Sequence, residues 1–316
     1  MRATGVGSMP GTDVAETIKA VRDLVGDLVF LPELPDRGDG ADMIGRGTAL
    51  LDGLGADLQP TGWRLLDRSG RDQRRARSLL GQDLDVLEEQ LVGAEGDLKI
   101  QVPGPWTLAA TLERPRGGKV LADHGARREL AESLASGVAT HAADVRRRVP
   151  GARLTVQVDE PALRAVLDAQ VPTVSGLDRY RRVEPAEADA ALRRVVEALD
   201  GVADATALHS CAARLPTDLL VPIGFDALSF DLDLVEPDEV DALAAAYESG
   251  VALWPGLGHA SVGEQRRRLE RFAEVLGASE APFEAATVVT PPCGLAGHAP
   301  DQARRALERL AATARG

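Results

Sequence analysis

The stretch Ala205-Thr206-Ala207-Leu208-His209-Ser210-Cys211 decides the fold. An apolar run too short for a helix ends in two side chains that carry chemistry. The same design returns in Asp226-Ala227-Leu228-Ser229-Phe230-Asp231. Short apolar runs bounded in this way read as buried strands. Working outward, six more are found at Ala3 to Gly7, Leu28 to Leu31, Leu98 to Val102, Leu154 to Val158, Val251 to Trp254 and Thr287 to Thr290, which makes eight strands. Between them lie segments of helical periodicity: Asp13 to Val25, Arg127 to Arg148, Pro185 to Leu199, Asp238 to Glu248, Ser261 to Leu276 and Pro300 to Ala314. Strands alternating with helices imply βαβ units and a parallel sheet. Eight such units over 316 residues predict an α/β fold, a (β/α)8 TIM barrel, as one domain over residues 1–316. The segment Asp36 to Gln82 exceeds what a crossover needs, so an inserted helix and loop after the second strand are expected over the barrel mouth.

The polar residues keep a common phase with these strands. Ser8 follows the first, Glu33 the second, Gly104 the third and Asp159 the fourth. His209 and Cys211 end the fifth, Asp231 ends the sixth, His259 lies beyond the seventh and Cys293 follows the eighth. In a barrel all these positions open on the C-terminal face, where barrel active sites are built.

Composition narrows the partners. A formal charge of −13 repels nucleic acid and anionic membranes, so neither is expected. No apolar run approaches a membrane span, and residues 1–5 carry no apolar signal, so a cytoplasmic protein is expected. Glycine-rich Gly5-Val6-Gly7-Ser8 is too short for a dinucleotide fingerprint.

The two cysteines, Cys211 and Cys293, lie far apart in sequence, and cytosolic thiols stay reduced. Either they are two core thiols or they are ligands. In His209-Ser210-Cys211 the first and third side chains of an extended segment point the same way. Cys293 follows two prolines that stiffen the last strand's exit, and Asp231 ends its own strand. One imidazole, two thiolates and one carboxylate form a tetrahedral set that favours zinc, Zn2+. A metal so held suits a substrate thiol, kept as thiolate and nucleophilic, with the carboxylate the ligand most readily displaced.

At these residues the chain resembles the C-terminal catalytic barrel of the cobalamin-independent methionine synthase family, over nearly its whole length. Gly5-Val6-Gly7-Ser8-Met9-Pro10 is similar to the family's IGSFP motif, and Pro32-Glu33-Leu34-Pro35-Asp36-Arg37 with Asp42-Met43 to a stretched GEPERNDM. Gln157-Val158-Asp159-Glu160-Pro161-Ala162-Leu163-Arg164 resembles QIDEPALRE, Asp226 to Asp231 resembles DVISIE, and Pro292-Cys293-Gly294-Leu295 resembles PDCGL. The resemblance implies methyl transfer onto the thiol of homocysteine, with zinc on His209, Cys211, Asp231 and Cys293. It also implies that Gly7 and Ser8 hold the amino acid's carboxylate and that Glu33 and Asp159 hold its ammonium. Trp254 to Ser261 is similar to PGVYDIHS, two residues shorter, which makes His259 the candidate catalytic proton shuttle.

Departures from the family pattern bear on the donor. Asp231 stands where the family has glutamate, and there is no room for the complete enzyme's second barrel. Ala165 and Thr111 replace folate-contacting residues, and the serine–arginine–cysteine segment has no counterpart after Gly62-Trp63. These departures weaken methyl-folate as donor, and the chain looks more like the family's short single-barrel relatives, a resemblance that implies a methylated corrinoid or corrinoid protein as donor. The alternatives are a related zinc-dependent thiol-alkyltransferase, a uroporphyrinogen-decarboxylase-like enzyme, or a non-catalytic zinc- and amino-acid-binding protein. Isolated, Glu33 and Asp36 also read as turn acids and Asp159 as a helix cap.

Overall fold

The computed structural model describes residues 1–173 and 175–316. In chain order the elements are β1 (Arg2–Ala3), α1 (Val14–Val25), β2 (Leu28–Phe30), α2 (Met43–Leu50), β3 (Gly55–Gln59), β4 (Gly62–Leu66), α3 (Arg71–Gln90), β5 (Gly96–Pro103), α4 (Pro105–Thr111), α5 (His124–Arg148) and β6 (Ala152–Asp159). They continue with α6 (Leu163–Leu167), α7 (Pro185–Ala198), β7 (Ala205–Ser210), α8 (Thr217–Leu220), β8 (Ala227–Asp231), α9 (Val240–Glu248), β9 (Ala252–Gly256), α10 (Val262–Val275), α11 (Glu280–Ala286), β10 (Val288–Val289) and α12 (Pro300–Arg315).

Six strands form one parallel sheet in the order β2-β5-β6-β7-β8-β9, and β1 pairs with β10, also parallel. Single bridges link the pair to both sheet edges: Ser8 to Glu33 beyond β2, and Gly256 to Thr290 at β9. Each of the eight expected strands is present, and the α/β class with a parallel sheet holds. The strands carry apolar runs because helices cover their outer face, so both faces are dry.

The helices form for local reasons. Helix α1 places Val14, Ile18, Val21 and Val25 on one buried stripe, and the Asp13 side chain caps its start by accepting from the Glu16 N–H. Asp123 caps α5 in the same way, through the Ala126 N–H. One hydrophobic core runs from Ala3 to Ala314 and includes fully buried Trp106, Phe30 and Ile18. Truncating such a side chain to alanine typically costs about 2–5 kcal/mol.

The insertion after β2 departs from a helix with a loop. Helix α2 is there, but an antiparallel hairpin, β3 with β4, and the long α3 follow it. The hairpin turns at Pro60-Thr61, with Gly62 at φ +122°, and it leans on Glu113, whose N–H donates to the Trp63 carbonyl. Among the described residues, no helix is long and apolar enough to cross a membrane.

Candidate metal centre and adjoining pocket

Strand register lines up the chemistry. Pro103 of β5 stands opposite Asp159 of β6, Asp159 opposite His209 of β7, and His209 opposite Ser229 of β8. Because side chains alternate along a strand, residues paired in one such row point to the same side.

His209, Cys211 and Cys293 come together, with ligand atoms all within 4.8 Å of one another. The two sulfurs are 3.0 Å apart and unbonded. His209 is buried, and its Nδ1 lies 2.9 Å from the Ser229 hydroxyl. Its Nε2 is buried with no hydrogen-bond partner. A buried ring nitrogen of this kind is costly unless something completes it. A hydrogen bond on one imidazole nitrogen that leaves the other free is the usual arrangement behind a metal-ligating histidine. Donors on one zinc, at about 2.3 Å for sulfur, sit within about 4.6 Å of each other, close to the spacing seen here. The residues present fit a zinc ion.

The thiols are electrostatically unequal. The Cys211 sulfur and then His209 pull Cys293 below the usual thiol range. The same contact, with burial, pushes Cys211 well above the usual thiol range. The pair therefore shares one proton. Burial pushes His209 below the ordinary histidine value, which favours the neutral ring that a metal needs.

Asp231 stands outside the close triad. It ends β8, half-buried, and its Oδ1 accepts from the Asp233 N–H at 2.9 Å. Burial raises its carboxyl, while Arg268 acts the other way.

Below the thiols lies a buried charged cluster. Glu33 Oε1 is 3.2 Å from the Arg46 guanidinium and accepts from Gln101 Nε2 at 3.2 Å. Arg46 also pairs with buried Asp83, which Arg37 grips through both oxygens. Asp159 accepts from Gln157 Nε2 at 2.7 Å. Burial first, then the Glu33 charge, raise Asp159 well above the carboxylate range, while Lys99 opposes them. Lys99 is fully buried and donates to the Val6 carbonyl at 2.8 Å and to Gln101 Oε1 at 3.2 Å. Its ammonium is lowered to about 8 by burial, against the pull of Asp159 and Glu33. Glu33 is thus paired with Arg46, whereas the only cation acting on desolvated Asp159 is Lys99.

Ser8 and Gly7 border both clusters. The Leu295 N–H donates to the Ser8 carbonyl at 2.8 Å, and the Glu33 N–H to the Gly7 carbonyl at 3.1 Å. A Cβ on Gly294, next to Cys293, would run into the Ser8 hydroxyl oxygen, which would have to turn away. A Cβ on Gly7 would lie 2.7 Å from the Gln101 side chain.

Other acids near the motifs are structural. Asp36 accepts from the Gly11 N–H, and Asp42 caps α2. Glu160 is buried and takes the N–H groups of Trp106 and Thr107 and the Thr107 hydroxyl, which fixes the start of α4. His259 is exposed and turns to His298 and Arg309, at 3.2 and 3.4 Å. Sequence reasoning missed Lys99, Arg46, Gln101 and Ser229. One signal was available for the lysine: it is one of three in the chain and sits inside an apolar strand.

No family model matches the chain, and no curated protein matches it. Among solved structures it is similar to a B12-independent methionine synthase from Shewanella sp. W3-18-1 in complex with selenomethionine. The TM-score is 0.64 at 15% sequence identity, over 99% of this chain and 96% of that one. A putative phosphonomutase from Burkholderia cenocepacia J2315 aligns at a TM-score of 0.37 and 15% identity, over 75% of each chain, too distant to carry an argument. From end to end, this chain has the fold of the Shewanella synthase.

Proposed function

We propose that the chain is a single-domain, closed (β/α)8 barrel and a zinc-dependent methyltransferase that acts on the thiol of homocysteine. The single observation that carries this reading is the thiol–thiol–imidazole triad standing beside a buried carboxylate pair. The two bridges that tie β1 and β10 to the sheet edges support closure of the ring.

His209 Nε2, Cys211 Sγ and Cys293 Sγ would hold the ion, with the Asp231 carboxylate as the fourth, displaceable donor. Zinc on two thiolates supplies affinity for a substrate thiol and keeps it deprotonated and nucleophilic. Ser229 fixes the His209 ring so that Nε2 faces the ligand position. Glu33 and Asp159 receive the substrate ammonium, and Arg46 holds Glu33 in place. Ser8 and the backbone beside Gly7 take the substrate carboxylate. Methyl transfer then forms the new S–C bond as the donor–methyl bond breaks. The Shewanella protein is described with selenomethionine, an analogue of the product such a reaction yields.

The donor is the finer part. Ala165, Thr111 and the segment after Trp63 favour a methylated corrinoid, whereas the protein of similar fold is B12-independent. Assaying the purified chain with homocysteine and either methylcobalamin or methyl-folate decides between them. Turnover with neither would leave a zinc- and amino-acid-binding protein. With a corrinoid, His259→Ala should leave the chemical step intact, because a cobalt leaving group needs no proton. With folate, the same change should cost about 10²–10⁴-fold, the usual worth of general acid catalysis.

A further inference from the structure

Three nitrogen-bearing side chains meet just outside the thiol pair, and two of them, His298 and Arg309, have no part in the proposed transfer. His259 follows β9, His298 follows β10, and Arg309 reaches up from α12. The two Nε2 atoms are 3.2 Å apart, the rings stand 5.2 Å apart at 52°, and an Arg309 Nη2 lies 3.4 Å from His259 Nδ1. His298 Nδ1 and Arg309 Nε are buried with no hydrogen-bond partner. They line a cavity of about 130 Å³ that Gln265 and Cys293 also border. That is room for a small ion, since a water's share of liquid volume is about 30 Å³.

The charge pattern excludes a cation. Among the described residues no carboxylate pairs with Arg309 or either imidazole, although acids exceed bases by 13 over the chain. A guanidinium crowds the imidazoles, which would repel a metal. What the cluster lacks is an acceptor. With His259 Nδ1 accepting from Arg309 and its Nε2–H turned to His298, the free donors are the His298 Nδ1–H and the Arg309 Nε–H, which suit a carboxylate or phosphate. Position agrees: counted round the ring, β9 and β10 are the seventh and eighth strands, and the loops after these strands commonly form the phosphate site of barrel enzymes. Gln265 is not free for the task, because its amide already donates to the Gly258 carbonyl and accepts from the Thr313 hydroxyl.

We infer that His259, His298 and Arg309 form an oxyanion site that holds a phosphate or carboxylate carried by the second substrate, next to Cys293. The identity of the carrier as methyl donor rests on the methyl-transfer reading; the anion site does not. In this role His259 sets the His298 ring and the Arg309 guanidinium toward the anion.

Calorimetric titration of the full chain with inorganic phosphate, and separately with glutarate, tests the site without any turnover. At least one should bind, and the tighter of the two identifies the source as phosphate or carboxylate. Arg309→Gln should weaken that binding about 10- to 100-fold, the worth of a charge-assisted hydrogen bond. His298→Asn, a milder change on the loop, should weaken it about tenfold and guards against a folding defect in the first variant. Binding of neither ion, or affinities equal in the wild type and both variants, would overturn the inference. In the methyl-transfer assay Arg309→Gln should raise KM for the donor and leave KM for homocysteine alone. Anion binding without methyl transfer would sink the enzymatic reading and leave the oxyanion site standing.

Discussion

The two halves of the candidate site solve opposite problems. At the exits of β7 and β10 the groups are soft, and Cys293 is exposed and the Cys211–Cys293 pair unfinished: two sulfurs share a proton and a buried imidazole nitrogen has no partner. At the exits of β2, β5 and β6 the groups are hard and buried. Glu33, Lys99 and Asp159 are fixed by one another and by Arg46, Gln101 and Gln157. A soft, open cluster is organised by what binds it, whereas a buried charged cluster must be organised by the protein beforehand, because unpaired charge in the interior costs several kcal/mol per ion. The first half therefore predicts chemistry and the second predicts recognition.

The sharpest way to break this division is at the sulfurs. The double change Cys211→Ser with Cys293→Ser should take zinc from one ion per chain to none while circular dichroism stays unchanged. Full zinc content by plasma mass spectrometry would remove the thiols from the metal site. Next comes recognition: Asp159→Asn should weaken homocysteine binding about 10- to 100-fold by calorimetry, with zinc content untouched. Equal affinity would take Asp159 out of the pocket.

A third test isolates burial from charge pairing. His141 on α5 is buried and held down to about 4, by burial first and then by the Arg46 charge. Its folded-state value lies below the unfolded one near 6.5, so its stabilising contribution is present above pH 6.5 and is lost as pH falls toward 4. Between pH 7 and pH 5 the loss should reach about 2 kcal/mol. Urea unfolding at both pH values measures it, and a His141→Gln chain with the same pH slope as wild type would refute the assignment. The smallest effect is expected at Asp231, which stands outside the triad. Asp231→Asn should keep one zinc per chain and lower its affinity about tenfold, because the two thiolates and the imidazole hold the ion without the displaceable fourth donor. Loss of the ion altogether would make the carboxylate an equal member of the set.

The strands and most helices were legible because burial on both faces leaves a plain apolar run, and helical stripes such as that of α1 leave period 3.6. The hairpin β3–β4 was not legible. Its two strands are half-buried, and their alternation, Ala56-Asp57-Leu58-Gln59 and Trp63-Arg64-Leu65, runs for only four and three residues, at or below the shortest run that marks a strand. His209, Cys211 and Cys293 were legible because donor type and strand phase agree. Lys99 was not, since a charged residue in a strand usually reads as solvent-facing, and only the fold brings the Val6 carbonyl, from the segment after β1, to join the Gln101 amide oxygen of its own strand and make its burial tolerable. His298 and Arg309 stand on different elements and meet His259 only in the fold.

The pairing of Arg2 and Ala3 with Val288 and Val289 has a consequence for how the protein is made. Contacts between residues so distant in sequence form late, after the nearer ones have reduced the cost of loop closure. Ser8 meets Gly294 and Leu295 through that same seam, and Cys293 is the neighbouring residue. On a ribosome, the first six or seven strand–helix units can therefore be in place while the thiol pair is still single. Cys211 waits as a lone thiol until β10 docks, so the cluster of His209, Cys211 and Cys293 is completed by that seam rather than by any local contact.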